Sequence, residues 1–178
     1  MQDITSLYPP IDLQLLLDNV HNVLKVYNFT AKAFDGWSSI PLRSFRGELG
    51  VQASSGTGMS ASSDPNNFKD TELMQPYIKE IISHISDQVL KVRLMKLNAH
   101  CHIPLHQDFF KKDTSNQVTR IHIPVQTNPD VMFTVNDEIM HLKEARIYIV
   151  DVSQKHGVEN NGDGDRIHLV FDVIIQKK

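Results

Sequence analysis

A single cysteine, Cys101, stands in the chain, so no intrachain disulfide can staple the fold. That thiol content fits a reducing compartment such as the cytoplasm. Basic charge is not in excess either. The 18 Lys and Arg against 21 Asp and Glu give a formal net charge of −3, which leaves no electrostatic footprint for nucleic acid. Apolar runs are short, with nothing near the roughly 20 consecutive apolar residues a membrane helix needs. The first residues, Met1-Gln-Asp-Ile-Thr-Ser-Leu-Tyr-Pro-Pro10, have neither the basic nor the apolar region of a secretory signal. Together these absences give the expectation of a soluble, cytoplasmic protein with no nucleic-acid or membrane partner. Glycines cluster only in 47–67, among Ser and Asn, with no Gly-Lys-Ser/Thr ending and no apolar strand before them. That argues against a nucleotide cradle. The segment reads as a flexible loop, with a substrate-covering lid as its candidate role.

No repeat or composition shift divides the 178 residues, so 1–178 is expected to be one domain, long enough to bury roughly two-thirds of its unfolded surface. Apolar spacing at i, i+3, i+4 and i+7 predicts a helix over 11–27, through Leu13, Leu16, Leu17, Val20, Val23, Leu24 and Tyr27. A second is predicted over 70–88, with Leu73, Tyr77, Ile78, Ile81, Ile82 and Ile85 as its stripe. His21 and His84 fall inside these helices and read as packing or surface residues. Between them, 30–47 is short and mixed, with Trp37, Ile40 and Leu42 as anchors and Arg43 and Arg46 as spare cations.

From Val89 onward the period changes from helical to two. Strands are predicted over 92–97, 120–125, 131–135, 138–142, 145–150 and 166–175, with Asn136-Asp137 as a hairpin turn and 160–164 as a longer connection. Closely spaced strands after two helices indicate a mainly β fold. The expected architecture is a double-stranded β-helix, or jelly roll (cupin), with the two N-terminal helices buttressing one sheet.

The chemistry concentrates in that β half. An extended His106-Gln107-Asp108 puts one imidazole and one carboxylate on the same face, because strand residues i and i+2 share a side. A second imidazole from another strand would complete the 2-His-1-carboxylate triad diagnostic of non-haem Fe(II) oxygenases. His156 is the best candidate, since it follows the apolar run 145–150 and precedes Gly157. Arg166, ten residues later, is a cation that could hold an acidic co-substrate bidentately if its strand points it inward. By the same i, i+2 rule Arg120 pairs with His122, and Arg166 with His168. The alternative is that both pairs lie on the outer face. A zinc reading from His100, His102 and His106 competes weakly, because Pro104 interrupts any single strand joining them. Cys101 reads as a small buried residue.

These residues resemble a known family. Arg120-Ile-His-Ile-Pro124, Gln126-Thr-Asn128, His156-Gly-Val-Glu-Asn160 and Arg166-Ile-His-Leu-Val-Phe-Asp172 look like the aspartyl/asparaginyl β-hydroxylases, which are 2-oxoglutarate-dependent dioxygenases whose bacterial members include proline cis-hydroxylases. Weaker agreement lies at Gly36-Trp37 and 41–44. The resemblance implies His106, Asp108 and His156 as both catalytic residues and Fe(II) ligands. It implies Arg166 on the distal carboxylate of 2-oxoglutarate, with Arg120 and His122 near that co-substrate. It also implies O2 as oxidant, and hydroxylation of a C–H bond coupled to decarboxylation of 2-oxoglutarate to succinate. Some members lack the carboxylate ligand. Keeping Asp108 points to an amino-acid or peptide-borne substrate. Proline-hydroxylating relatives carry a C-terminal helical extension that is not seen after the last strand here, so the pocket is expected to be open, with Arg43 and Arg46 as candidate contacts for a substrate carboxylate. The alternative is a non-catalytic, cupin-like binding module that retains a metal.

Overall fold

The computed structural model describes residues 1–30, 34–50, 64–108 and 116–176. In chain order its elements are β1 (Gln2–Asp3), α1 (Leu13–Val26), β2 (Trp37–Phe45), β3 (Phe68–Asp70), α2 (Pro76–Ile85), β4 (Val89–Leu97), β5 (Cys101–His106), β6 (Asn116–Gln126), β7 (Val131–Val135), β8 (Glu138–Met140), β9 (Tyr148–Val150), β10 (His156–Asn160) and β11 (Arg166–Gln176). A seven-stranded sheet runs β1-β9-β6-β11-β4-β2-β3, and a four-stranded sheet runs β5-β10-β7-β8. Every pairing is antiparallel. This is the mainly β, jelly-roll arrangement expected, with two helices on one face.

Alternation along the strands decides what each face of the large sheet meets. On β11, Ile167, Leu169, Phe171 and Val173 join Ile121, Ile123 and Val125 of β6, and Val92 and Leu94 of β4, in one buried cluster with Leu16, Val20 and Val23 of α1 and Ile78, Ile81 and Ile82 of α2. The helices therefore cover the outer face, and each fully buried aliphatic side chain there contributes about 1.5–3 kcal/mol. A second cluster, with Leu97, Ile103, Val131, Phe133, Tyr148, Val150 and Val158, lies where the two sheets face each other.

Local chemistry fixes the helices. Asp12 caps α1 by accepting from the Leu15 amide at 3.0 Å. Pro76 starts α2, where its fixed φ suits the first helical position. The Tyr77 amide donates to Asn19 Oδ1 at 3.1 Å, and the Asp12 amide donates to the Tyr77 hydroxyl at 2.8 Å, tying the two helices together. α2 starts later than the apolar stripe predicts. Asp70 belongs to β3, and the Thr71 hydroxyl is bonded to the Pro41 and Leu42 carbonyls, which holds 71–75 in a turn.

Two strands escape the alternation rule. β2 is a nine-residue strand that bends at Pro41, where its register with β4 shifts. β5 runs unbroken through Pro104, because it is an edge strand and proline withholds its missing donor from no partner on the open side. The predicted strand over 145–150 shortens to β9, since Ala145 has φ +56° and the Ile147 amide is spent on the Thr5 hydroxyl. The hairpin at Asn136-Asp137 is as expected, with Asn136 at φ +53°.

Candidate metal centre and anion pocket

β5 and β10 are neighbours, and their register sets His106 directly opposite His156. The imidazole centroids are 4.2 Å apart. Asp108, two residues beyond His106, is fixed where its amide donates to the Val152 carbonyl at 2.9 Å. One donor atom from each of His106, Asp108 and His156 lies within 4.8 Å of the other two, and no other such group occurs among the described residues. Gly157 makes the pairing possible. A Cβ there would sit 2.8 Å from the Ile103 carbonyl oxygen, at the point where the register between β10 and β5 slips.

Backbone carbonyls choose the tautomer of both imidazoles. His106 Nδ1 is 2.8 Å from the Pro104 carbonyl, and His156 Nδ1 is 3.0 Å from the Gln154 carbonyl. A carbonyl can only accept, so each Nδ1 carries the proton and each Nε2 keeps its lone pair for a metal. Burial pushes the His156 imidazole below its ordinary range, with neighbouring His106 adding to this and the Gln154 carbonyl and Asp108 opposing it. A neutral imidazole is the ligating form. Burial would raise the Asp108 carboxyl, yet the charge and hydrogen bond of Arg120, with the two imidazoles, hold it below its usual range. Two neutral imidazole nitrogens and one ionised carboxylate oxygen are a donor set that fits a divalent first-row metal such as Fe(II).

Behind Asp108 runs a buried ionic chain. Arg120 donates to Asp108 Oδ2 and, through Nε at 2.7 Å, to Asp172, which Arg93 also meets at 3.3 Å. Arg93, Arg120 and Asp172 are all buried. Arg120 thus faces inward but spends its guanidinium on two carboxylates. Asp172 was visible in sequence only as the end of a strand motif.

The second feature lies deeper between the sheets. Arg166, His168 and His122 are 1%, 1% and 4% exposed, so both arginine-histidine pairs point inward rather than outward. No carboxylate partners Arg166 among the described residues. It meets His168 Nδ1 at 2.7 Å and lies over the Phe133 ring, 5.8 Å from its centroid. Arg166 Nε, His122 Nε2 and His168 Nε2 are buried without a hydrogen-bond partner. Burial alone lowers Arg166 to about 9. Burial, then the nearby arginines, push His122 well below its ordinary value, and burial and Arg166 do the same to His168.

An asparagine clamp precedes β11. Asn160, fully buried, donates to the Gly164 carbonyl at 2.9 Å and the Asn98 carbonyl at 3.0 Å, and accepts from Asn128 at 3.0 Å. This shapes the turn that leads into β11. Phe34 was not foreseen either. Its ring is 5.2 Å from that of His106, and the following Gly36 has φ +72° with no room for a Cβ against Cys101 Sγ. Cys101 is half-buried there rather than fully buried.

Other expectations resolve differently. His100 is exposed, in a positive-φ turn, and bonded to Asp163 at 3.0 Å, and His102 is exposed, so the three-histidine zinc group does not assemble. Arg43 is taken by Asp70 at 2.8 Å and the Val89 carbonyl at 3.2 Å. Arg46 is exposed over Phe45. Neither reads as a substrate contact. Of the candidate lid at 47–67, residues 51–63 lie outside the described residues.

The model of the family described as aspartyl/asparaginyl beta-hydroxylase matches residues 12–175. The chain belongs to that family. Its relatives include an L-proline cis-4-hydroxylase of Rhizobium meliloti (strain 1021), 25% identical over 99 residues, a match spanning 54% of this chain and 35% of that protein. Another is an L-proline cis-3-hydroxylase of a Streptomyces species, 26% identical over 101 residues, or 55% of this chain and 34% of that protein. The matches thus span about a third of these relatives' own length. Among solved structures, a 2OG-Fe(II) oxygenase family oxidoreductase from Burkholderia pseudomallei superposes with a TM-score of 0.56 at 10% identity, over 88% of this chain and 77% of that one. That likeness concerns the fold. Among the described residues no helix is long and apolar enough to cross a membrane.

Proposed function

We propose that this family member is an Fe(II)/2-oxoglutarate-dependent hydroxylase acting on an amino acid, free or peptide-borne. The observation that carries the reading is the convergence of His106, Asp108 and His156 in the same barrel as Arg166, a buried cation without a carboxylate beside it among the described residues. Membership of the β-hydroxylase family and the two proline-hydroxylase relatives point the same way. A free amino acid is the favoured substrate class, and a cytoplasmic setting fits the single cysteine.

In this reading His106 Nε2, His156 Nε2 and Asp108 hold the metal and leave positions open for co-substrate and O2. Bound Fe(II) would supply O2 activation and the oxidative decarboxylation of 2-oxoglutarate that hydroxylation needs. The protein's own work is positioning. Arg120 occupies one carboxylate oxygen of Asp108, which fixes the rotamer and leaves the other oxygen, 3.6 Å from His106 Nε2, for the metal. Arg166 offers a charge-assisted, two-pronged grip for the far carboxylate of a dicarboxylic 2-oxo acid, strong because the site is dry. His122 packs against His168 and Phe133 beside that grip. Phe34 walls the imidazole side of the centre.

Substrate-stimulated release of succinate, screened over free amino acids and short peptides with mass detection of a product heavier by one oxygen, tests the reading. Proline-like or other amino acids should stimulate release in wild type, and Asp108→Ala and His156→Ala should each abolish it. Normal turnover in either variant would remove that residue from the site. Metal binding with no 2-oxoglutarate consumption under any substrate would favour the non-catalytic module.

A further inference from the structure

We infer that His168 is a positioning residue: its Nδ1 orients the Arg166 guanidinium for a dicarboxylate, so that this imidazole sets the preference for 2-oxoglutarate over 2-oxo acids with one carboxylate. The inference rests on the co-substrate reading of Arg166.

An arginine has five N–H donors and no acceptor. The 2.7 Å contact between Arg166 Nη2 and His168 Nδ1 therefore requires a lone pair on Nδ1, and His168 is the neutral tautomer with its proton on Nε2. His122 Nδ1 lies 3.3 Å from the same atom and must donate to it. One imidazole lone pair then receives two donors, one from a cation on its own strand and one from the neighbouring strand. His122 and His168 stand edge to face with centroids 5.6 Å apart, and His122 packs edge to face on Phe133 at 5.3 Å. Phe133 is also the ring beneath Arg166. The guanidinium is thus held at one nitrogen by His168 and on one face by Phe133.

That arrangement uses one Nη and leaves Nε, buried and without a partner, for an incoming ligand. A fixed guanidinium loses little side-chain freedom when the carboxylate arrives. Without the acceptor at 168, the side chain would have no hydrogen-bonded orientation among the described residues and would have to be ordered by the ligand itself. The effect should be confined to ligands that reach Arg166. A 2-oxo acid with one carboxylate, such as 2-oxobutyrate, would engage the metal but not the guanidinium.

The test uses calorimetric titration of the Mn(II)-loaded protein with 2-oxoglutarate and, separately, with 2-oxobutyrate, on wild type, His168→Leu, His168→Gln and His168→Asn. Leucine deletes the acceptor, glutamine moves it one carbon outward, and asparagine keeps an acceptor atom on the γ carbon. Leu and Gln should each weaken 2-oxoglutarate binding about tenfold while 2-oxobutyrate binding stays within about twofold of wild type. Asn should stay within about threefold of wild type for both. If the leucine variant does not fold, the glutamine variant carries the comparison. Unchanged 2-oxoglutarate affinity in a folded Leu or Gln variant overturns the inference. So does equal weakening by Asn, or loss of both ligands in parallel, which would mark a general structural role. If wild type itself binds 2-oxoglutarate no better than 2-oxobutyrate, the co-substrate reading of Arg166 has failed first, and His168 falls with it.

Discussion

Burying a guanidinium away from any carboxylate costs several kcal/mol, and Arg166, 1% exposed, has a neutral imidazole and a ring face as its contacts among the described residues. In the proposed reading the bound carboxylate of the co-substrate offsets that cost. Arg166→Met should therefore raise the melting temperature of the metal-free protein, by the few degrees that about 1 kcal/mol gives in a domain of this size, while 2-oxoglutarate binding weakens by about a hundredfold, as loss of a charge-assisted pair would. Thermal denaturation and calorimetry measure the two effects, and a lower melting temperature would mean that Arg166 stabilises the empty protein. Single residues differ in how far the sequence reveals them. His106 and Asp108 are legible because i, i+2 spacing in a strand is a statement about faces, and Arg166 and Arg120 because cations inside an apolar alternation must point somewhere costly. Asn160, Asp172 and Phe34 are not. Asparagine and aspartate announce themselves as turn or surface residues, and Phe34 reaches His106 through a turn whose geometry no local pattern encodes.

Elements carry the next level of precision. β10 presents His156 to β5 only if the two backbones approach closely, and Gly157 permits this. Gly157→Ala would drive a methyl against the Ile103 carbonyl and the Leu105 backbone. It should destabilise the fold by about 1–3 kcal/mol, as overpacking does, and lower metal affinity at least tenfold by parting the imidazoles. A metal titration of the folded variant with wild-type affinity would show that the two strands adapt. Asn160→Ala should cost about 2–3 kcal/mol, since it strands the Gly164 and Asn98 carbonyls, and chemical denaturation reads that out. Strands such as β6 and β11 follow from period-two alternation because one face packs on the helices while the other carries Arg120, His122, Arg166, His168 and Asp172 between the sheets. β2 and β5 were hidden by Pro41 and Pro104, whose usual meaning as breakers is suspended at a register shift and at a sheet edge. The late start of α2 has a similar origin, in a threonine side chain that competes for the backbone ahead of Pro76.

At the scale of the molecule, three buried histidines make stability depend on pH. His122, His156 and His168 all have pKa values below the ordinary imidazole value of 6.5. Below about 6.5 the unfolded chain binds protons that the folded one refuses, so the unfolded state gains, by up to about 1.4 kcal/mol per pH unit for each histidine. Stability is therefore full above that value and declines as pH falls. The lowered carboxyls of Asp108, Asp70 and Asp3 act in the same sense only in more acidic solution, below about 4. Melting curves of the metal-free protein should shift downward between pH 7 and pH 5, and His122→Phe should flatten that shift. A melting temperature that stays constant or rises toward pH 5 would mean the imidazoles are hydrated and charged. The overall architecture was readable because the period changes from helical to two near Val89, where most of the strands begin, although β1, β2 and β3 ahead of that point also join the large sheet. The segment 47–67 reads only as a loop with a candidate lid role, since small polar residues carry no pattern that specifies a partner, and its 51–63 stretch lies outside the described residues. The most direct measurement is anaerobic: Fe(II) and then 2-oxoglutarate added to the purified protein, with visible absorption recorded for wild type and Asp108→Ala. A weak metal-to-ligand charge-transfer band that appears with 2-oxoglutarate in wild type and is lost in the variant is expected. No band in wild type, or an equal band in both, would contradict a metal held by His106, Asp108 and His156 with room for the 2-oxo acid.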